Sequence, residues 1–291
     1  MKWYKSLSFA LLFLVTLANA QSANRFFYEL TFKPKKGIDS LQKAVMILDV
    51  TDKKSLYRDY LTVSQDSVLK IEVEKMQKAG VFKDLSKSFQ MPKFAYKITK
   101  EYPTMKVNFS ERMLNSVFGY NEEPKFNWKI SNDKQKIGEY EAQKATTEFG
   151  GRKWTAWFTE SIPFPDGPYK FSGLPGLIVK IEDAEKNYSW ELKGNKKIEN
   201  YNELSYSEQL MAQFGGSLKT TDITREKFEK TLADFKKDPF ANMRDQLSQI
   251  PADAKMPGTD KSVKDFIAEK ERETKELYGS IDNSIEILEK K

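Results

Sequence analysis

The sequence predicts a mainly β protein of the α+β class, namely a curved antiparallel sheet or open half-barrel with covering helices and a helical C-terminal part. Three observations support this fold class. Short runs between residues 25 and 194 alternate apolar and polar side chains with the two-residue period of strands. Glycine and proline separate these runs at turn positions. Beyond about residue 200 the chain becomes rich in Lys and Glu, which favours helices.

Ten strands are predicted in the first two thirds of the chain. They cover residues 25–33, 43–50, 55–63, 94–100, 104–109, 125–131, 139–149, 152–160, 176–184 and 188–194. The first three form an antiparallel meander. Asn132 and Asp133 are predicted to open a polar turn. Gly150 and Gly151 predict a tight hairpin, because glycine allows positive φ at both turn positions.

Four helices are predicted, over residues 67–79, 222–238, 242–249 and 261–278. Gly80 ends the first helix, and Thr224 is the predicted N-cap of the second. The fourth has few apolar anchors, so we expect most of its surface to be exposed. Residues 252–258 are a predicted linker, and the final apolar run (residues 283–291) is expected to dock on the sheet.

The N-terminal residues predict export. Lys2 and Lys5 precede a short apolar stretch, and Ala18-Asn19-Ala20 has the small-residue pattern of a signal-peptidase site. We therefore expect residues 1–20 to be a signal peptide cleaved after Ala20. The mature protein would be periplasmic, associated with the outer membrane or secreted, with no later stretch apolar enough to span a bilayer. Residues 21–200 would form the antiparallel β domain, and residues 201–291 a charged helical segment that packs on or extends from the sheet.

The composition excludes several classes of chemistry. The chain has no Cys and no His, which rules out disulfides, Ser-His-Asp triads and His-ligated zinc, haem or copper. We expect no cofactor and no metal, and an enzyme would have to use carboxylates, Lys, Tyr or Ser. The 48 Lys and Arg and 42 Asp and Glu are interleaved, which is typical of a solvated surface and argues against nucleic-acid binding.

The stretch GLPGLI at residues 173–178 has an explanation in backbone geometry. Pro175 fixes φ at the second position of a turn and Gly176 allows positive φ at the third, which together predict a type II turn. The preceding residues 162–168 predict a rigid, extended loop because they contain three prolines. The apolar residues of this connection need a buried site: Phe164, Tyr169, Phe171 and Leu174.

The run from Trp154 to Asp183, WTAWFTESIPFPDGPYKFSGLPGLIVKIED, resembles the signature of the GLPGLI family, exported proteins of Gram-negative bacteria. The hexapeptide is intact: Gly173, Leu174, Pro175, Gly176, Leu177 and Ile178. The run that contains Trp128 and the ending at residues 283–286 also match. The resemblance implies an exported protein. It implies no catalytic residue, because the family has no established activity.

Six residues are candidates for contact with a ligand: Trp154, Trp157, Phe164, Tyr169, Leu174 and Trp190. Core packing is the favoured interpretation of the tryptophans. Residues 152–160 nevertheless have large rings on both faces, so stacking against a ligand stays open. Gly173 to Ile178 are assigned to the turn.

Acidic residues offer two further possibilities, although no residue is assigned a catalytic role. Glu160 and Asp166 are the best carboxylate pair for acid–base chemistry. Three acidic residues near the end of the run at 176–184 lack the spacing of a calcium-binding loop, and the favoured interpretation is a solvated strand end. These residues are Glu182, Asp183 and Glu185.

Three hypotheses of function remain. The favoured one is an exported, non-enzymatic protein of the periplasm or outer-membrane surface that binds an apolar or peptide-like ligand on a curved sheet. The second is a hydrolase that uses carboxylates or a Ser–Lys pair, which requires a polar cleft near Glu160, Asp166 or Lys170. The third is an adaptor subunit of an outer-membrane complex, in which residues 261–278 contact an outer-membrane or periplasmic protein.

Overall fold

The computed structural model describes residues 21–287, apart from residues 81–82, 84, 86–88, 214, 252 and 257–259. Over these residues the protein is mostly β, with one mixed twelve-stranded sheet that is not closed into a barrel and covering helices that include a C-terminal one. The predicted fold class is confirmed. The predicted signal peptide (residues 1–20), its cleavage site after Ala20 and part of the predicted linker lie outside the described residues.

The sheet is built almost entirely from neighbours in sequence. Its strands are β1 (Ala23–Phe32), β2 (Gln42–Val50), β3 (Lys54–Asp59), β4 (Tyr96–Glu101), β5 (Lys106–Met113), β6 (Ser116–Glu122), β7 (Lys129–Ile137), β8 (Tyr140–Phe149), β9 (Arg152–Thr159), β10 (Leu177–Asp183), β11 (Tyr188–Ile198) and β12 (Thr220–Asp222). Their order is β12-β6-β5-β4-β3-β2-β1-β11-β10-β9-β8-β7. All neighbouring pairs are antiparallel except β12 and β6, which are parallel. The predicted meander of the first three strands is confirmed and continues to β6.

Capping residues mark where some of the α-helices begin or end. They are α1 (Leu61–Ser64), α2 (Asp66–Ala79), α3 (Tyr206–Gln213), α4 (Arg225–Lys237), α5 (Arg244–Ser248) and α6 (Val263–Gly279). Gly80 follows α2 with φ of +64°, and the Thr224 hydroxyl accepts the Lys227 N–H at the start of α4. None of the helices within the described residues has the length and apolarity needed to cross a membrane.

The predicted end of the third strand and the predicted turn before residue 134 are wrong, and a hydrogen bond explains the first. The predicted strand 55–63 ends at Asp59, because the Asp59 carboxylate accepts the N–H of Leu61 at 2.9 Å and the chain turns into α1. The polar turn predicted at Asn132 and Asp133 lies inside β7 instead, and the chain turns at Gly138, where φ is +56°. Small polar residues are therefore compatible with an exposed edge strand.

The C-terminal tail (residues 280–287) docks on the sheet, as predicted. Asn283, Ile285 and Glu286 are buried. The N–H of Ile287 donates to the carbonyl of Gly150, at the tip of the β8–β9 hairpin, at 2.7 Å. Residues 288–291 lie outside the described part of the chain. The division into two segments near residue 200 stays a prediction.

The connection between β9 and β10, called here the plug segment (residues 161–175), lies inside the curve of the sheet. The indole N–H of Trp128, just before β7, donates to the carbonyl of Ser172 at 2.8 Å. From the other half of the sheet, the Tyr120 hydroxyl in β6 accepts a hydrogen bond from Lys170 at 3.0 Å. Because β6 and β7 lie far apart in the strand order and both regions contact the plug segment, the sheet curls around it. The face that contacts the plug segment is the concave face.

The GLPGLI turn differs from the predicted type. Gly176 has a positive φ, as predicted, but its value is +149° and its N–H donates to the carbonyl of Leu174 at 2.8 Å. That bond spans three residues around Pro175, whereas a type II turn joins the first and fourth residues. The Leu177 N–H donates instead to the carbonyl of Ile162 at 3.0 Å. The two ends of the plug segment are thereby joined.

Replacing Gly176 by Ala is expected to lower the free energy of unfolding by about 3 kcal/mol, because overpacking against rigid atoms forces the backbone to move. An added Cβ would lie 2.1 Å from the carbonyl oxygen of Thr159. Chemical denaturation measures this loss. Gly194→Ala is the matched control, since a Cβ there meets nothing within 4 Å, and it should change stability by less than about 0.5 kcal/mol. Equal effects of the two variants would contradict the steric argument.

Candidate functional site

Trp154 and Trp190 lie in the core, with exposed fractions of 1% and 0%. Their ring centroids are 5.9 Å apart. The indole N–H of Trp154 donates to the carbonyl of Phe149 at 2.9 Å, and that of Trp190 donates to the Tyr57 hydroxyl at 2.7 Å. Both indoles therefore find their partners inside the protein, as buried indoles usually do.

Of the other four predicted ligand-contact residues, two are buried and two are half-buried. Tyr169 and Leu174 are buried, and the Tyr169 ring stacks on Trp190 with centroids 6.4 Å apart. Phe164 and Trp157 are half-buried, and strand alternation places Trp157 on the face of β9 opposite Trp154. Side chains of the protein itself thus fill the concave face around Trp190. The ligand role of the six residues stays a prediction.

Lys100 holds the plug segment through its backbone. Both Lys100 and Asp166 are completely buried and form an ion pair, and the Tyr102 hydroxyl donates to Asp166 at 2.5 Å. Burial lowers the pKa of the Lys100 ammonium, and Asp166 opposes that effect. The ammonium also donates to three plug-segment carbonyls, at 2.6, 3.1 and 3.4 Å, which are those of Gly167, Tyr169 and Phe171.

A second group of charges, called here the tail cluster, consists of the buried Lys170 and Glu286 and the half-buried Glu122 and Arg225. Lys170 is completely buried and pairs with Glu122 and with Glu286, the latter at 2.5 Å. Arg225 contacts the same two carboxylates at 2.9 and 2.7 Å. Burial alone would raise the pKa of Glu286, but Lys170 and Arg225 hold it below its ordinary value. The tail cluster joins the plug segment, β6, α4 and the C-terminal tail.

Next to the tail cluster lies a cavity of about 210 Å³, between the concave face, α4, the end of α6 and the tail. Aromatic rings form its floor: Tyr96, Phe109, Tyr120, Tyr169 and Tyr188. Leu232, Leu277 and Ile281 line its apolar wall. The exposed side chains of Lys93 and Lys236 also border it, which places its opening at the protein surface. Aromatic rings and a few polar groups are the usual lining of a binding pocket.

Glu111 is a buried carboxyl group in this cavity. Its exposed fraction is 7%, and it makes no hydrogen bond or ion pair with any described residue. Burial raises the pKa of Glu111 to about 7, although Lys236 partly offsets the effect. Tyr96 lies directly opposite Glu111 in the β4–β5 ladder, and its buried hydroxyl likewise has no hydrogen-bond partner among the described residues. Buried polar groups without partners are rare in folded proteins.

The sequence-based prediction misses Glu111 because it ends the strand at residue 109. In β5 the buried residues alternate with less buried ones, and Glu111 follows Val107 and Phe109 on the buried side. The available signal was a carboxyl group on the apolar side of an alternating run. The same signal marks Lys100, which follows Tyr96 and Ile98 on the buried side of β4. The plug segment is irregular, so no such signal marks Lys170.

The carboxylates proposed from sequence for acid–base chemistry do not face a common cleft. Asp166 is completely buried against Lys100, whereas Glu160 is exposed. Glu160 borders a different cavity, of about 430 Å³, together with the exposed Glu139 and Glu141.

Asp183 is not a solvated strand end, and that interpretation is wrong. Its exposed fraction is 2%, and its carboxylate accepts hydrogen bonds from the Tyr188 N–H at 2.7 Å and from Arg152 at 3.1 Å.

Across the described part of the chain, no three His, Cys, Asp or Glu side chains lie close enough together to hold a metal ion.

Replacing Glu111 by Gln is expected to stabilise the protein above pH 7. The folded-state pKa of Glu111, about 7, exceeds the ordinary value of 4.5. Protonated Glu111 therefore contributes its full stabilisation of the folded state below pH 4.5, and this contribution is lost as pH rises through 7. The difference between the two pKa values corresponds to a loss of about 3 kcal/mol in the free energy of unfolding at pH 8. Denaturation of both proteins between pH 4 and pH 8 measures it.

The stability gap between Glu111→Gln and the parent protein should vanish toward pH 4, because both side chains are then neutral. Glu101→Gln on neighbouring β4 is the control, since Glu101 is exposed. A gap that stays the same from pH 4 to pH 8 would show that the substitution acts through packing and not through the charge.

Residues 150–180, which include the hexapeptide, match the model of a family described as a protein of unknown function (Porph_ging). No curated protein matches the chain. Among solved structures, the chain is similar to PNGF-II in space groups C2 and P21, with 15% identity in both and TM-scores of 0.49 and 0.48. Each similarity covers 72% of this chain and 32% of the PNGF-II chain, so the chain spans about one third of the length of that protein.

Proposed function

We propose that the protein is a non-enzymatic binding protein whose cavity takes up one apolar or peptide-like group. The observation that supports this function is an aromatic cavity that opens at the surface and is lined by Glu111, a buried residue with no hydrogen bond or ion pair to the described residues, and by the unpartnered buried hydroxyl of Tyr96. A protein that needed only a packed core would gain stability from apolar side chains at such positions. A ligand that pairs with them gives these groups the partners they lack.

The size of the cavity restricts the ligand. At about 210 Å³ it is smaller than the roughly 300–1,000 Å³ of pockets that enclose drug-sized molecules. It accommodates a group of the size of one amino-acid side chain. The peptide-like ligand is therefore favoured over a lipid, and the ligand is held at the cavity next to α4 rather than at the tryptophans of the filled concave face.

The charged groups near Lys170 favour binding over hydrolysis, because they already form ion pairs with one another. Hydrolysis by carboxylates needs two titratable groups that converge on the substrate. Lys170, Arg225 and Glu286 converge, but they are engaged with one another in the tail cluster. Glu111 lines the same cavity but makes no hydrogen bond or ion pair with the described residues. This arrangement suits recognition of a charge or dipole better than proton transfer.

We further propose that the family matched at residues 150–180 is the GLPGLI family and that the protein is exported, because the matched residues contain the intact hexapeptide. In a Gram-negative host, the full chain should yield an envelope-located protein whose intact mass corresponds to a start at Gln21. Leu12→Arg interrupts the apolar stretch and should retain the precursor in the cytoplasm. Cytoplasmic retention of the unsubstituted chain would contradict export.

Filling the cavity should abolish binding. Leu232 lies on the face of α4 that lines the cavity, and Ala233 is exposed on the same helix. We expect the melting temperature of the parent protein to rise with at least one N-acetyl amino-acid methylamide of Leu, Tyr, Lys or Asp at millimolar concentration. Leu232→Trp should lose this response, and Ala233→Trp should keep it.

Leu277→Trp, which fills the cavity from α6, provides a second test if Leu232→Trp does not fold. The binding function would be wrong if none of the four compounds shifted the melting temperature of the parent protein. It would also be wrong if a folded cavity-filling variant responded as strongly as Ala233→Trp.

A further inference from the structure

We propose that the cavity selects a ligand group with a positive charge on a short apolar stem, a primary amine or a guanidinium, and that Glu111 is the anion that pairs with it. This inference rests on the binding function proposed above. The basic side chain of a peptide and a free alkylamine share this chemistry.

The three carboxyl groups that line the cavity differ in their partners. Glu286 contacts Lys170 and Arg225, and Glu229 contacts Arg225 at 2.9 Å. An incoming cation would find both carboxylates already neutralised. Glu111 is the most isolated of the three, since no described residue forms a hydrogen bond or an ion pair with it. The negative charge available to a ligand is therefore that of Glu111.

An aromatic surface lies next to Glu111 in the cavity. The ammonium of Lys170 lies 5.2–5.3 Å from the ring centroids of Phe109, Tyr120 and Tyr169. A cation of the protein itself thus already occupies that part of the floor. No cation from the described residues stacks on the ring of Tyr96, which lies opposite Glu111 and has the unpaired hydroxyl. Other aromatic rings already pack against that of Tyr96. A ligand cation at this place therefore gains its ion pair with Glu111 beside the unpaired hydroxyl.

The cavity also has an apolar wall. Leu232, Leu277 and Ile281 line the cavity from α4 and from the end of α6. A bare cation would lose its hydration along this wall without compensation. An alkyl stem packs against the wall while its charged end reaches the carboxylate, as long basic side chains do elsewhere.

Other charged and titratable groups also face Glu111 and set the pH range of the interaction. Lys236 is exposed, makes no ion pair with the described residues and lowers the pKa of Glu111 through space. It therefore competes with a ligand cation. The Tyr278 hydroxyl is already engaged with the carbonyl of Arg112 at 2.9 Å. The charged and titratable groups that line the cavity with Glu111 are Lys93, Tyr96, Tyr120, Tyr169, Tyr188, Arg225, Glu229, Lys236, Tyr278 and Glu286.

The test compares two compounds that differ in the charge. N-acetyl-lysine methylamide and N-acetyl-norleucine methylamide have the same apolar stem, and calorimetry at pH 8 gives their dissociation constants. We expect the lysine compound to bind about tenfold or more tightly, the usual gain from one charge-assisted contact. Glu111→Gln should abolish this preference. Glu226→Gln, an exposed position on α4, should retain it.

Two further measurements separate a charge effect from a change of shape. The preference for the lysine compound should weaken as pH falls through about 7, because the carboxyl of Glu111 then takes up a proton. Lys236→Met should tighten binding of the lysine compound several-fold at low ionic strength by removing a competing cation. Lys237→Met, an exposed position beside it, should not.

The possible outcomes distinguish this inference from the binding function itself. Equal affinity for the lysine and norleucine compounds would overturn the cation preference and leave the binding function intact. Binding of the leucine, tyrosine or aspartate compound alone would do the same. Failure of every compound to bind would overturn both. A comparison with n-butylamine identifies the source of the cation, because only a peptide site gains affinity from the two amide groups.

Discussion

The ammonium group of Lys100 bonds to backbone carbonyls of the plug segment, and the shape of the protein depends on this contact. A buried charge is costly unless partners surround it. Lys100 obtains them from Asp166 and from three carbonyls that point toward one place. Conformations of the plug segment that turn these carbonyls away leave the charge without partners. One lysine therefore selects one path for a segment that has little regular structure of its own.

The path of the plug segment in turn determines the curvature of the sheet. Trp128 and Tyr120, from regions far apart in the strand order, both bond to this segment. A flat sheet cannot bring those two regions to the same few residues. A second buried lysine, Lys170, connects the plug segment to the tail, because its ammonium pairs with Glu286. The cavity beside Glu111 exists because the tail and α4 are held over the concave face by these ion pairs.

Sequence patterns predicted the elements that depend on neighbouring residues. The alternation in β1 and β9, the hairpin at Gly150 and Gly151 and the cap at Thr224 all follow from local preferences, and the structure has them. The turn at Gly176 was predicted with the wrong type, because the Leu177 N–H bonds to the distant carbonyl of Ile162. A local pattern contains no information about such a partner.

The candidate site was less predictable for the same reason. Its parts come from strands, the plug segment, α4, α6 and the tail, which are far apart in the sequence. Tyr96 and Glu111 become neighbours only through the pairing of β4 with β5. The hexapeptide attracts attention in the sequence because proline and glycine are distinctive. Its residues determine the path of the plug segment, and the cavity lies elsewhere on the concave face.

The contrast between Glu111 and Glu286 bears on why the cavity has a carboxyl group at all. Both are buried, yet Glu286 is surrounded by cations that lower its pKa, and Glu111 has a pKa raised to about 7. The fold needs Glu286, because it ties the tail to the plug segment. It does not need Glu111, whose burial lowers stability at neutral pH. Local conflicts of this kind, in which a residue opposes the fold around it, are typical of functional positions. The position of Glu111 is therefore better explained by what enters the cavity than by what holds the sheet together.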